Sequence, residues 1–350
     1  MKTVKQMHSV EEAVPFWIAS LAEASGAFRV LRQRHLGTRY DWEFVVRASS
    51  TDKSVKLSIE AKSRISPQEL LGVLARLKEQ ATGTTPVLCC PDISPRSAQI
   101  CREHQVGYLD AAGNCHISAP GLFLHIEGRH GPKRPQRDAV SLFAPKSSRI
   151  TRVLLSNVAK GWQLQELARE ARISLGLASR IKQRLMQQAW VDQRDSLLYP
   201  RDPRGLLEAW RAAYDMPEQR SFYLLNDPEA TLARCCADLG INWALTALSG
   251  AWKLAPHVRH HALAAYVDLA SEAKLRQLIE TLGGKPVASG ANLTLWFPTD
   301  EFVFYGSQQI DGSLVVSPLQ LYLDLTKFPG RGEDAAQEIY TTHIAPQFEP

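Results

Sequence analysis

The sequence predicts a multidomain α/β protein. An N-terminal α/β segment (1–127) and a basic linker (128–145) come first, then a central winged helix-turn-helix (146–201) and a C-terminal α/β segment (202–350). Three observations carry this expectation. Strand-like and helix-like runs alternate as far as about Glu127, which implies a sheet covered by helices on at least one face. The run GRHGPKRPQRD, from Gly128, is rich in Gly, Pro and basic residues and has no periodicity, as expected of a linker. After it come three short helical patterns and a charged hairpin, in the order helix, helix, turn, helix, strand, strand. At 350 residues the chain is long enough for two or three compact units, each with its own core.

In the first segment, Ser9 and Glu12 form a capping box ahead of a helix that runs to about Ala24, with Pro15 expected to delay or kink its start. Asp41 to Arg47 and Val55 to Lys62 read as strands. A helix follows with Ser66 as N-cap, Pro67 at its first position, Glu69 closing a capping box, and Leu70, Leu74 and Leu77 on one face. TPVLCC is a short buried strand, and Ser94-Pro95 opens another helix. VGYLDAAGNCHIS is a pair of strands about Gly113-Asn114, and LFLHIE adds one more.

In the central segment, RITRVLLSNVA makes a first helix with Ile150, Val153, Leu154 and Val158 inward. Gln163 to Ala171 makes a second, and a turn at Arg172-Ile173-Ser174 leads into LGLASRIKQRLMQQ. With Ala178, Ile181 and Leu185 inward, that third helix turns Ser179, Arg180, Lys182, Gln183 and Arg184 outward, where a recognition helix meets base edges. Arg180 is the expected base reader. Arg194 on the wing, with Lys146, Arg149 and Arg152, is expected to touch phosphates. Charge points the same way: Arg129 to Arg204 holds 16 Lys and Arg against 6 Asp and Glu, whereas the rest holds 25 against 30. A basic centre between acidic flanks suits double-stranded DNA as partner. A three-helix bundle of other purpose would show the same order of elements.

The third segment is again α/β. Pro203 opens a helix through Trp210; SFYLL, LAAYVDL, LTLWF, FVFYG and LVV are strand candidates; and SEAKLRQLIETLGG is a helix closed by glycine. It holds no phosphate loop, nucleophile elbow or His-Glu metal motif. The six cysteines lack C-x-x-C spacing and read as buried thiols, and His257, His260 and His261 have no carboxylate or Cys beside them, so no metal is expected. No apolar run approaches membrane-spanning length and the N-terminus lacks a signal-peptide core, which points to a cytoplasmic protein without membrane contact.

Four runs resemble a known family. They are ISPRSAQICREHQVGYLDAAGN; ISLGLASRIKQRL within the winged helix; DPRGLLEAWRAAY; and VVSPLQLYLDL followed by RGEDAAQEI. Together, in this order and over most of the chain, they resemble the AbiEi-type antitoxins and related transcriptional regulators of the type IV toxin–antitoxin class. The resemblance implies sequence-specific DNA binding, autoregulation of an operon, a cognate toxin or other protein partner, and no reaction catalysed by the protein itself. Flanking α/β domains would make it a homodimer or bind that partner.

The first segment also resembles the restriction-endonuclease-like fold, whose active members carry Asp…(Asp/Glu)-x-Lys. Here Glu60-x-Lys62 lies on the strand VKLSIEAKSR, with Asp41, or Glu43 beside it, as the partner acid. That chemistry needs two carboxylates, Asp41 and Glu60, to hold Mg²⁺, and Lys62 near the attacking water. The alternation of the strand also fits a half-exposed face whose polar side chains meet water, with no cofactor. The expected function is therefore a DNA-binding regulator, with a Mg²⁺-dependent nuclease targeted by the winged helix as the alternative.

Overall fold

A computed structural model describes residues 9–36, 41–51, 53–129, 141–269 and 271–349. Most of the expected linker, residues 130–140, lies outside the described residues. The chain divides into two compact units, one within 1–139 and 186–189 and the other within 140–185 and 190–350. Among the described residues, no helix is long and apolar enough to cross a membrane.

In the first unit, α1 (Val10–Ser25) begins where the Ser9 hydroxyl accepts the Glu12 N–H. Pro15 lies inside this helix rather than delaying it. A proline has no N–H for the carbonyl four residues back, here Glu11. The Trp42 indole N–H donates to that carbonyl instead, at 2.9 Å. Three strands follow: β1 (Phe28–His35), β2 (Trp42–Ala48) and β3 (Ser54–Ala61). Then α2 (Pro67–Gln80), β4 (Thr85–Cys90), α3 (Pro95–Glu103) and β5 (Gly107–Asp110) alternate, and β6 (Cys115–Ala119) and β7 (Leu122–Ile126) close the unit. Strand β1 was not foreseen, because FRVLRQRH interrupts its apolar alternation with three arginines and pairs with β2 through a register shift between Val30 and Arg32.

The seven strands lie in sequence order, with β3, β4 and β5 parallel and the rest antiparallel. Parallel neighbours need crossovers, and α2 and α3 supply them. Both crossover helices pack on one face, with Leu70, Leu74, Leu77 and Ile100 against Leu88 and Tyr108. Helix α1 covers the other face, with Val14, Trp17, Ile18 and Leu21 against Phe44, Leu57, Ile59, Val87 and Leu109. Both faces of β3 are therefore covered, and Ser58 and Glu60 are buried along with Leu57 and Ile59. The half-exposed strand expected from its alternation is not what forms.

The second unit opens with α4 (Pro145–Ser156), α5 (Leu164–Glu170) and α6 (Leu175–Gln187), followed by the hairpin β8 (Val191–Arg194) and β9 (Leu197–Pro200). A bridge from Trp162 to Leu198 adds a third short segment to the hairpin. Its tip, Asp195-Ser196, has positive φ at both residues, the turn that matches strand twist. Helix α4 ends at Ser156, short of the expected Val158. Ile150, Val153 and Leu154 of α4, Leu167 of α5, and Ala178, Ile181 and Leu185 of α6 are buried.

The rest of the unit runs α7 (Pro203–Ala213), β10 (Glu218–Tyr223), α8 (Pro228–Leu239), β11 (Asn242–Leu245), α9 (Ala247–Leu254), β12 (Leu263–Asp268), α10 (Glu272–Leu282), β13 (Lys285–Pro286) and β14 (Leu293–Phe297). It continues through β15 (Gln308–Ile310), β16 (Ser313–Val315), α11 (Pro318–Lys327) and α12 (Gly332–Ile339). A mixed seven-stranded sheet runs in the order β13-β10-β14-β12-β11-β16-β15. FVFYG, expected as a strand, is instead a 3₁₀ turn at Glu301–Phe304, because the Asp300 carboxylate caps the Phe302 N–H. The boundary expected between residues 201 and 202 falls inside this compact unit.

At its centre lies Asp324 on α11, fully buried. The Tyr214, Tyr266 and Thr246 hydroxyls and the Gln320 amide all donate to its carboxylate. Burial raises its pKa to about 6, and those four donors offset part of that rise. In the unfolded chain the group titrates near its ordinary 3.8. The proton is therefore held more tightly when folded, so its contribution to stability is complete below about pH 4 and lost as pH rises through about 6. Asp324→Asn carries no such loss. Relative to wild type, the variant should gain on the order of 1–3 kcal/mol between pH 4 and 7. Urea unfolding across that range measures this, and a pH-independent difference would contradict the buried titration.

Candidate nucleic-acid interface

Helix α6 is positioned by its own apolar stripe. Ala178, Ile181 and Leu185 lie at or below 1% exposure, which fixes this side of the helix in the core and leaves the opposite side outside it. Ser174 begins it, its hydroxyl accepting the Leu177 N–H, after a turn in which Arg172 has φ +51°. Ser179, Arg180 and Gln183 are exposed, and Lys182 and Arg184 are half-buried. Of the five side chains expected to read DNA, three are thus fully accessible, and Arg180 is the one fully exposed cation among them.

Arg194, on the hairpin, is 72% exposed and reaches Asp192 at 3.6 Å. Lys146, at the start of α4, is also exposed. Arg169 and Arg172, not singled out from sequence, stand exposed at the turn between α5 and α6 and extend the basic surface. Their position at the turn was the available signal.

Arg149 and Arg152 are elsewhere, and their expected role as phosphate contacts is corrected. Both are buried, at 9% and 4% exposure. Arg149 Nε donates to both oxygens of Asp300, at 2.9 and 3.0 Å, and its guanidinium lies 5.0 Å from the Phe302 ring centroid. Arg152 Nη2 donates to Gln320 at 2.6 Å, with its guanidinium 4.9 Å from the Trp210 ring centroid. The physical reason is that α4 is covered on two sides, by its own bundle and by the segment from residue 203 on, so Arg149 through Leu155 are all buried. Guanidiniums committed to Asp300 and Gln320 do not reach a phosphate.

In the first unit the structure does bring Asp41, Glu60 and Lys62 together. Asp41 Oδ2 accepts the Ala61 N–H at 2.6 Å, and Lys62 Nζ lies 2.8 Å from Glu60 Oε1. Burial raises the Asp41 carboxyl above its ordinary value; the Ala61 hydrogen bond opposes this, and Glu60 and Glu11 add to it. Arg76 of α2, however, donates to that same Glu60 oxygen at 2.8 Å. Mg²⁺ prefers near-octahedral oxygen ligands. Here one carboxylate is neutralised by two side-chain cations, and the other is engaged by backbone. Among the described residues no three His, Cys, Asp or Glu side chains stand together as a metal site. The donor set does not fit Mg²⁺.

The comparisons with known proteins fall on the second unit, on the mixed sheet and α11, where Ser317 caps the run PLQLYLDL. Residues 200–345 match the family described as transcriptional regulator, AbiEi antitoxin, type IV TA system. No curated protein and no solved structure matches the chain. The AbiEi match covers α7, the sheet and the Asp324 cluster, and two of the four resembling runs, DPRGLLEAWRAAY and VVSPLQLYLDL with RGEDAAQEI, lie within it. The runs in the first unit and in α6 lie outside it. Arg149 and Arg152 lie outside it too, yet they bond Asp300 and Gln320 inside it, so the matched portion and the helical bundle share a core.

Two expectations follow. Glu60→Gln keeps the shape but gives up a charge with two bonded cations at a 6% exposed site, so it should destabilise the protein by about 1–3 kcal/mol. Arg76 and Lys62 are released toward water, which keeps the cost below that of a fully buried pair; unchanged urea unfolding would mean that the pair is a screened surface contact. In the second unit, Arg149→Ala strands Asp300 at 12% exposure and should cost about 3–5 kcal/mol, whereas Arg194→Ala should stay within about 0.5. Equal melting temperatures for the two variants would refute this sorting of the arginines.

Proposed function

We propose that the protein is a sequence-specific DNA-binding transcriptional regulator of the AbiEi antitoxin kind, in which α4, α5, α6 and the β8–β9 hairpin act as a winged helix-turn-helix. The observation that carries this reading is exposed Arg180 on α6, with half-buried Lys182 and Arg184 beside it, flanked by exposed Arg194 on the hairpin and by Arg169 and Arg172 at the preceding turn. The match of residues 200–345 to a family of transcriptional regulators supports it independently. Double-stranded DNA is the partner that this surface suits. On this reading the protein binds as a homodimer, autoregulates its operon and meets a cognate toxin or other protein partner.

Sorting the basic residues by burial sharpens the interface. Arg180 is the base reader, because a guanidinium bonds a guanine edge at two points. Arg194 and Lys146 are phosphate contacts, and Arg149 and Arg152 are structural. The nuclease alternative draws support from the convergence of Asp41, Glu60 and Lys62. It is weakened by Arg76, which takes up the Glu60 oxygen that a metal would need. Incubating supercoiled DNA with the protein and Mg²⁺ tests it directly, and nicking that Glu60→Gln abolishes would make it the better account.

Arg180→Ala should weaken operator binding by roughly 1–3 kcal/mol and relax preference at one base pair. Replacing Arg194 and Lys146 together should flatten the slope of log affinity against log salt by about 2 and leave sequence preference intact. Gel-shift titrations at several salt concentrations read both effects. Wild-type affinity and wild-type salt slope in these variants would place the DNA elsewhere.

A further inference from the structure

Outside the central segment the chain is acidic on balance, yet Phe28 to Arg64 holds 9 Lys and Arg against 4 Asp and Glu. The register of the first unit's sheet gathers much of that surplus on one face. Phe28, Phe44, Val46, Leu57 and Ile59 point to the face under α1. Residues that alternate with them point the other way, in cross-strand rows Arg29–Arg47–Ser54, Arg32–Val45–Lys56 and Arg34–Glu43–Ser58. Arg29 and Arg32 are an odd number of residues apart and would fall on opposite faces of a regular strand. The register shift between Val30 and Arg32 brings all three β1 arginines to the same side, as a bulge re-aims side chains.

Helices α2 and α3 pack on this side of the sheet at Leu88 of β4 and Tyr108 of β5. Over β1, β2 and the start of β3 it is open, and Arg29, Arg32, Arg34, Arg47 and Lys56 are all exposed. Among the described residues no ion pair engages Arg29, Arg32, Arg34 or Lys56. The one carboxylate on β1 and β2 is Glu43, half-buried. Arg29 stands directly opposite Arg47, and like charges so placed oppose strand pairing. A polyanion laid on this face would relieve that repulsion. Four of the five cations are arginines, whose guanidinium bonds a phosphate at two points. The three rows contain no aromatic side chain, so they offer neither the stacking platform of a single-strand binder nor the aromatic anchors of a membrane-surface segment.

We propose that this face binds the phosphate backbone of double-stranded DNA without reading its sequence. The identity of the partner rests on the proposed function, but the contact is separate from α6 and the hairpin. Phosphate contacts of this kind add affinity and leave the choice of sequence to base contacts elsewhere.

Fluorescence anisotropy of the full chain with a random-sequence duplex, at several salt concentrations, tests this. Arg32→Gln with Arg34→Gln should keep the wild-type melting temperature, because both side chains are exposed and outside any ion pair. It should flatten the slope of log affinity against log salt by about 2. Lys285→Gln with Lys327→Gln removes two exposed cations of the second unit and should leave the slope as it is. The proposal is overturned if the arginine variant keeps the wild-type slope or if the lysine variant flattens it equally. It is also overturned if the arginine variant binds DNA as wild type does but loses binding to phosphatidylcholine–phosphatidylserine vesicles. Any of these results leaves the effects expected of Arg180 and Arg194 in place. Conversely, a slope that responds to Arg32 and Arg34 but not to Arg194 and Lys146 would keep this face and sink the winged helix as the DNA contact.

Discussion

The second unit depends on one buried hydrogen-bond cluster. Asp324 collects donors from Tyr214 at the end of α7, Thr246 ahead of α9, Tyr266 on β12 and Gln320 one turn earlier on α11. Gln320 in turn accepts from Arg152 of α4. Four segments must be in place before this carboxylate is satisfied, and a fifth, α4, before Gln320 is; an unsatisfied carboxylate in the same position would cost several kcal/mol. The cluster therefore acts as a register for the fold. It also ties the helical bundle to the portion that matches AbiEi regulators, so that the two share one core.

That core sorts the basic residues in a way that composition does not. The surplus of positive charge between Arg129 and Arg204 looks uniform along the chain. In the structure Arg149 and Arg152 neutralise or satisfy acceptors inside the unit, while Arg180, Arg172 and Arg194 remain accessible. The exposed positive charge of this segment is smaller than the sequence count, and among the described residues much of it lies on α6, the turn before it and the hairpin.

Much of this architecture was legible because local signals agreed with the tertiary outcome. Helix α2 has its Ser66–Glu69 capping box, Pro67 and a leucine stripe, and all of them do in the structure what their spacing implies. Helix α6 was readable for the same reason. The misreadings occurred where tertiary contacts overrode local pattern. FVFYG has the composition of a strand, but Asp300 caps it into a turn and Arg149 holds that Asp300 in place. Helix α4 has a clear apolar stripe at Ile150, Val153 and Leu154, which suggests that its other side meets water. The signal to the contrary was Leu155, which continues the apolar surface around the helix, as expected of one buried on several sides. The Asp324 cluster left no spacing signal, because its members come from five separate segments.

Strand β3 shows the same limit from the other direction. Alternating apolar and polar residues define two faces but do not say whether the polar face meets water or a second layer. Here α2 and α3 cover it, and the fold must then accommodate Glu60 in a nearly dry site. It does so with charge, through Arg76 from the crossover helix and Lys62 on the segment after the strand, whereas Asp324 in the other unit is accommodated by neutral donors. Removing a buried carboxylate from water is repaid in both ways, but with different consequences. A carboxylate balanced by two cations has little attraction left for a metal ion, so the arrangement that makes Glu60 compatible with a covered sheet is the same one that takes it away from Mg²⁺ chemistry.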